Sequence, residues 1–119
     1  MRLKFNDENL IKILVEEIPE FSKSIVPEFS FSAYIVYGDF GIYLCEKILK
    51  KPQEIGVIEK AFEVLNKLIL EGDDDIRQML RVTTFEILTD NEQTIETAKK
   101  YLNNKALQIF LDVIKLIKG

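Results

Sequence analysis

The segment Glu71-Gly72-Asp73-Asp74-Asp75 constrains the fold of this chain most, because it separates two long stretches of helical periodicity. Gly72 has the position of a residue just past a helix end, where glycine enters the left-handed region at little cost. Asp73 is suited to cap the next helix, and Asp74 and Asp75 place negative charge at its positive end. A helix that ends and restarts within so few residues folds back on its predecessor. The segment therefore predicts a tight helical hairpin, the unit of bundles and of stacked helical pairs.

The two stretches beside this turn carry the clearest apolar periodicity in the chain. From about residue 53 to 71, apolar residues recur at steps of three and four and predict one long amphipathic helix. The same spacing predicts a second helix over about residues 74–89. Residues 94–102 and 105–118 repeat this arrangement of helix, short turn and helix. Helix pairs of these lengths occur in irregular bundles and in short HEAT-like stacks, and the spacing leaves both architectures open.

The first third of the chain is less regular. Steps of three and four after Asn6 or Asp7, either of which can cap, predict a first helix that Pro19 ends. Residues 20–32 predict a short helix followed by a loop, because Pro27 interrupts the apolar pattern.

Residues 33–50 have two possible readings at their start. The segment Ala33-Tyr34-Ile35-Val36-Tyr37 has strand propensity, but the chain offers no partner strand, so it predicts an extended or helical lead-in. Gly38-Asp39 then resembles a second stop-and-cap signal, with a helix running to about Lys50. Lys51-Pro52 predicts the end of this helix and the first turn of the next.

Composition restricts the class of protein. The 119 residues suit a single domain, residues 1–119, and 47% of them are hydrophobic, enough for a full core. The net charge of −4 argues against a nucleic-acid binder, because phosphate contacts need a basic surface, and it favours a basic protein partner. The single cysteine, Cys45, excludes an internal disulfide. No signal peptide opens the sequence and the longest apolar run is short, so we expect a cytoplasmic protein with no membrane partner. A bacterial source is plausible.

The usual sequence motifs for catalysis and metal binding are missing from this chain. Histidine is absent, which removes the commonest general base and metal ligand. Neither a P-loop nor a dinucleotide fingerprint occurs. The consecutive aspartates of residues 73–75 lack the alternate spacing of a calcium loop, and Cys45 has the pattern of a small core residue. We therefore expect a non-enzymatic protein without cofactor or metal.

Two acidic residues and one helix face are candidates for contact with a partner. On a regular α-helix, Glu86 falls between Met79 and Val82, at or near the apolar side, where an unpaired carboxylate is costly. Such a carboxylate predicts a raised pKa. Asp39 is a cap by default and a site residue if it lies close to Glu86. The apolar arc of residues 105–118 exceeds the about 100° of a surface helix, so this helix either packs between two neighbours or docks a partner or second copy.

Two segments of the chain resemble a known family. They are Tyr37-Gly38-Asp39-Phe40-Gly41-Ile42-Tyr43-Leu44 and residues 71–88, with the matching pairs Gly72-Asp73 and Phe85-Glu86. The family consists of small bacterial all-helical proteins of unknown function, and some members are suspected immunity proteins of polymorphic toxin systems. The resemblance extends over roughly residues 30 to 118 and implies no catalytic residue.

The sequence thus predicts an all-α domain of about six helices in antiparallel hairpins. We expect it to bind another protein, specifically as an immunity-type inhibitor of a basic bacterial toxin. The alternative is a helical-repeat-like scaffold or regulatory protein. The candidate partner-binding residues share a negative charge: Asp39, Asp73, Asp74, Asp75 and Glu86.

Overall fold

The computed structural model describes residues 2–23, 25 and 31–119, and within them the chain is helical without a strand. The helices are α1 (Asp7–Glu17), α2 (Pro19–Ser22), α3 (Ala33–Leu49), α4 (Ile55–Glu71), α5 (the continuous run Asp74–Leu80, Arg81–Phe85 and Glu86–Leu88), α6 (Glu92–Tyr101) and α7 (Asn104–Lys118). This confirms the all-α class predicted from the sequence. The loop predicted around Pro27 lies outside the described residues.

Helix α3 is the centre of an irregular bundle, because it packs against α1, α4, α5 and α6. Its start agrees with the helical alternative predicted for residues 33–37 and corrects the prediction of a stop and cap at Gly38-Asp39. Residues 33–37 are helical from Ala33 onward, and the helix continues through Gly38 and Asp39 without a break. Burial overrides the local signals, since a stripe of buried residues runs along the whole helix. That stripe consists of Ala33, Val36, Tyr37, Phe40, Gly41, Leu44 and Ile48.

The end of α3 agrees with the predicted end at about Lys50, and its cap is Ser32 rather than Asp39. The helix begins after Ser32, whose hydroxyl accepts from the Ile35 amide, and the Asp7 carboxylate accepts from the Ala33 amide at 2.8 Å. It ends at Leu49, and α4 begins at Ile55. Pro52 therefore lies in the connection between these helices, and the prediction that it occupies the first turn of α4 is wrong.

The hairpin of α4 and α5 is confirmed, but the conformation predicted for Gly72 is wrong. Gly72 has φ −78° and ψ 156°, an extended conformation. The reason is a backbone contact with the N-terminal segment: the Leu3 amide donates to the Glu71 carbonyl at 2.6 Å, and the Asp73 amide donates to the Leu3 carbonyl at 2.8 Å. A β-carbon on Gly72 would press on the Leu68 carbonyl oxygen and lie 2.9 Å from Ile76 Cγ2. Glycine is thus needed here for space.

A π-helical segment, Arg81–Phe85, divides α5. Such a segment holds one extra residue, so it delays every later side chain by about 100° around the axis. The delay turns Phe85 into the core, where its ring meets Phe110 edge-on at a centroid distance of 5.9 Å. It turns Glu86 away from the core, and Glu86 is exposed. The prediction that Glu86 lies at or near the apolar side is therefore wrong, and the burial which that prediction implied is absent.

Threonine side chains accompany the π segment on its buried side. Thr83 Oγ1 donates to the Met79 carbonyl at 2.7 Å, four residues earlier in the same helix. Thr84 Oγ1 donates to the Tyr37 carbonyl at 2.7 Å and so joins α5 to α3. Tyr37 is itself buried and donates from its hydroxyl to the Leu10 carbonyl at 2.8 Å. These bonds satisfy polar groups inside the core and fix α1, α3 and α5 relative to one another.

Candidate functional site

The acidic turn contains one aspartate that the fold uses on both of its oxygens. Asp73 caps α5, as predicted: its Oδ1 accepts from the Ile76 amide at 2.9 Å. Its Oδ2 accepts from the Phe5 amide, also at 2.9 Å, which holds the N-terminal segment against the hairpin. The Ile76 amide first, and then the Phe5 amide, hold the pKa of the Asp73 carboxyl below its usual range. Both carboxylate oxygens of Asp73 are therefore used in hydrogen bonds within the chain.

The other four candidate residues are not gathered into one site by direct contacts. Asp74 and Asp75 are exposed in the first turn of α5. Asp39 is half-buried within α3, so its predicted role as a helix cap is wrong. Among the described residues, no hydrogen bond or ion pair joins Asp39 to Glu86. Their contact with a partner stays a prediction.

A cluster that sequence reasoning missed joins three elements through Lys47. The Lys47 ammonium lies 2.7 Å from a Glu20 oxygen on α2 and 2.9 Å from a Glu54 oxygen just before α4. It also lies 5.4 Å from the centre of the Tyr43 ring. The hydrogen bonds that Lys47 donates to Glu20 and Glu54 raise the pKa of Lys47, and the Lys47 and Lys50 ammonium groups lower the pKa of Glu54. Glu20 is 27 residues from Lys47 in the sequence, so no local pattern identifies the whole cluster.

The surroundings of Cys45 do not favour nucleophilic catalysis. Cys45 is half-buried with its thiol directed at the Ile87 carbonyl, 3.7 Å away, and burial raises its pKa to about 11. A thiol of that pKa is a weak nucleophile at neutral pH. In the described ranges no three acidic or cysteine side chains are grouped as metal ligands. Nor does any helix there have the length and apolar character needed to cross a membrane.

A groove of about 240 Å³ separates α1 from α4. Its lining combines apolar side chains, Leu3, Ile13, Val64 and Leu68, with charged ones, Glu17, Lys60, Glu63, Lys67 and Glu71. At its rim the Lys60 ammonium lies 2.9 Å from a Glu17 oxygen, so this pair of charges is already neutralised. A ligand pocket normally has polar groups that converge on the ligand. The mixed charges of this groove do not identify one class of ligand.

The exposed side of α3 has a different character. Four large apolar side chains point outward there although they lie in a helix at the centre of the bundle. We call this surface the outer face of α3: Tyr34, Ile35, Ile42 and Leu49, which are 43%, 40%, 52% and 42% exposed. Sequence reasoning missed this face because it treated residues 33–37 as a lead-in and broke the helix at Gly38. The spacing of seven between Ile35, Ile42 and Leu49 was the available signal.

Helix α7 has an apolar edge as well, but it lies at the helix end. Ala106, Ile109, Phe110 and Val113 are buried, so most of the wide apolar arc packs inside the bundle. Leu116 and Ile117, 82% and 48% exposed, belong to the last turn. Exposure is common in the last turn of a helix, because a terminal turn has fewer packed neighbours than the middle of the helix. The outer face of α3 extends from the first turn of its helix to the last residue, so it is the longer of the two candidate docking surfaces.

Comparison with known proteins identifies the family. The sequence pattern of a domain of unknown function, DUF7674, matches residues 11–118. This match spans most of the chain, so the protein belongs to that family. No curated protein and no solved structure matches the chain.

Proposed function

We propose that this member of the DUF7674 family is a non-enzymatic domain that binds another protein. The observation that supports the proposal is the outer face of α3, where four large apolar side chains are exposed along the helix, Tyr34 and Ile35 in its first turn, Ile42 in its middle and Leu49 at its last residue. Exposed apolar side chains that share one face of a helix favour an interaction site. The high pKa of the Cys45 thiol agrees with a role other than nucleophilic catalysis.

The more specific proposal is an immunity-type inhibitor of a bacterial toxin that acts in the cytoplasm. Its support is the resemblance noted in the sequence, together with the net charge of −4. An acidic inhibitor meets a basic toxin faster because opposite charges steer the encounter, while apolar contacts hold the complex. The exposed aspartates Asp74 and Asp75 would contribute to the steering, since neither forms an ion pair within the described residues.

The test of this function uses the genes beside the one that encodes this chain. Each neighbouring product is expressed alone and together with the chain, and growth is measured. We expect one product to stop growth alone, to be tolerated with the chain, and to form a stable complex with it on gel filtration. Growth rescue without a complex, or the absence of any toxic neighbour, would contradict the immunity role.

The steering step has its own measurement on that complex. Changing Asp74 and Asp75 together to Asn should slow association and reduce its dependence on salt, with little effect on dissociation. Asn remains compatible with the start of a helix, so the fold should persist. If the association rate is insensitive to salt in the parent protein, the aspartates act only on the helix dipole.

A scaffold or regulatory role is the second candidate, favoured by the same exposed face. It predicts a stable complex with a partner that is not toxic. The growth measurement therefore separates the two roles, because only the immunity role requires the partner to stop growth.

A further inference from the structure

Gly38 on α3 has no role in the fold that the structure reveals. It lies within the helix, and an ideal β-carbon built on it would meet nothing within 4 Å. Glycine in a helix interior costs stability relative to alanine, because it loses more conformational freedom on folding. A glycine that the bundle does not need for space, in the middle of its central helix, is therefore unexplained by packing inside this chain.

Gly41, one turn later, shows the opposite situation. A β-carbon there would lie 3.1 Å from the Thr84 Cα and 3.2 Å from Ile87 side-chain atoms. Gly41 thus lets α5 approach α3 closely. Gly38 would allow the same close approach, but from outside, since on a helix it projects between Tyr34, Ile42 and Leu49 of the outer face.

The unpaired charges of α3 beside the outer face are negative, because the exposed Lys50 that follows Leu49 is held by Glu54 at 3.0 Å. Glu46 is exposed and Asp39 half-buried on the edge of this face, and neither forms an ion pair within the described residues. The one cation within α3, Lys47, is turned to the other side, where Glu20 and Glu54 hold it. Two copies meeting through this face would bring four unpaired carboxylates together, while Lys47 and Lys50 are already paired with glutamates. The charge pattern therefore favours a basic partner over a second copy.

The spacing of the apolar residues indicates the shape of that partner. Ile35, Ile42 and Leu49 follow one line along α3 that is about 21 Å long at 1.5 Å per residue. A partner helix of about four turns, with apolar residues at steps of three and four, matches a line of that length. Glycine at the point of contact allows two helix axes to approach closely.

We propose that the outer face of α3 docks a basic amphipathic helix of a partner protein, with Gly38 at the point of closest approach. This inference rests on the proposed protein-binding function and assigns that function to a surface. This surface shares no residue with the acidic turn or with α7, so variants at Gly38 and Ile42 distinguish it from both.

A synthetic helical peptide provides the probe, with Leu on one side and Lys on the flanks. The full chain, labelled with ¹⁵N, is titrated with it, and a matched peptide carrying Glu in place of Lys is the control. We expect shifts of the amide signals of Gly38, Ile42 and Glu46, and no binding of the acidic peptide.

Two glycine variants give the matched comparison. Gly56, in the first turn of α4, is as open as Gly38, with nothing within 4 Å of a built β-carbon. Gly38→Gln should weaken peptide binding by about tenfold or more, and Gly56→Gln should leave it unchanged. Ile42→Ser, at an exposed position, is a second variant that should weaken binding if Gly38→Gln proves poorly folded.

Several results would overturn the inference. They are absence of binding, shifts confined to the acidic turn or α7, equal binding of the acidic peptide, and a homodimer in sedimentation that Gly38→Gln dissolves. The complex found in the growth experiment distinguishes a wrong docking surface from a wrong function. If that complex forms and survives Gly38→Gln, the surface is wrong and the function stands; if no complex forms, the function itself fails.

Discussion

The two sides of helix α3 use their residues in opposite ways. On the inner side, Phe40 is fully buried and Gly41 brings Thr84 of α5 within contact distance. On the outer side, Ile42 is 52% exposed and Gly38 has open space around it. The two glycines are three residues apart, and only one is explained by the fold. A residue type that costs stability without an internal reason is therefore informative about contacts outside the chain.

The acidic turn repeats this contrast on a smaller scale. Asp73 accepts hydrogen bonds on both carboxylate oxygens, whereas Asp74 and Asp75 are exposed in the same turn. A carboxylate that already accepts two backbone amides has little left to offer a partner. Residues that are conspicuous in the sequence can thus be occupied entirely by the fold.

The largest expected difference between the two sides of α3 concerns side-chain truncation. Phe40→Ala should lower the free energy of unfolding by about 3–5 kcal/mol, because it removes a fully buried ring and leaves a cavity. Ile42→Ala should change it by no more than about 0.5 kcal/mol. Urea unfolding followed by circular dichroism measures both. Similar losses for the two variants would mean that the outer face is packed in solution.

The two glycines give the next contrast. Gly41→Leu should lower the free energy of unfolding by about 1–3 kcal/mol, since the added side chain meets the α5 backbone. Gly38→Ala should raise it by about 0.5–1 kcal/mol, because alanine favours the helix and has room there. Thermal unfolding provides the comparison. A destabilising Gly38→Ala would show that this glycine has a role inside the fold.

The smallest expected effect concerns the pH dependence of stability at the acidic turn. The pKa of Asp73 is lower in the folded chain than in the unfolded one. Its contribution is therefore complete above the unfolded pKa of about 3.9 and is lost as the pH falls through the folded pKa. Asp73→Asn retains one acceptor for the cap but removes this titration.

Urea unfolding at a series of pH values between about 2 and 6 measures that effect. The acid-side slope of stability should be shallower in Asp73→Asn than in the parent. An unchanged slope in Asp73→Asn would show that its two hydrogen bonds do not persist in solution.

Much of the fold was predictable because its signals are local. The α4–α5 hairpin follows from apolar periodicity and from the Asp73 cap, and both are observed. Glu86 was misplaced because a π segment has no sequence signal comparable to a cap, and one extra residue turns every later side chain. The conformation predicted for Gly72 was wrong because the observed one depends on Leu3, which is distant in sequence.

The candidate docking surface was less predictable than the fold. Exposure is a property of the assembled bundle, so the apolar residues of α3 could not be divided into inner and outer sides before their neighbours were known. The cluster around Lys47 had the same difficulty, because its partners come from three separate elements. Charged turns, by contrast, are visible at once in a sequence, which gave them more weight than their structural role supports.

Photo-crosslinking from single positions tests the central claim most directly. A photoreactive phenylalanine analogue replaces Ile42 on the outer face or, as the control, Leu70 on α4, which is 69% exposed. After irradiation in the host cell, the crosslinked peptides are identified by mass spectrometry. The account predicts that position 42 crosslinks to a basic amphipathic helix of one protein and that position 70 does not. A partner captured only from position 70, or a peptide of this same chain captured from position 42, would contradict it.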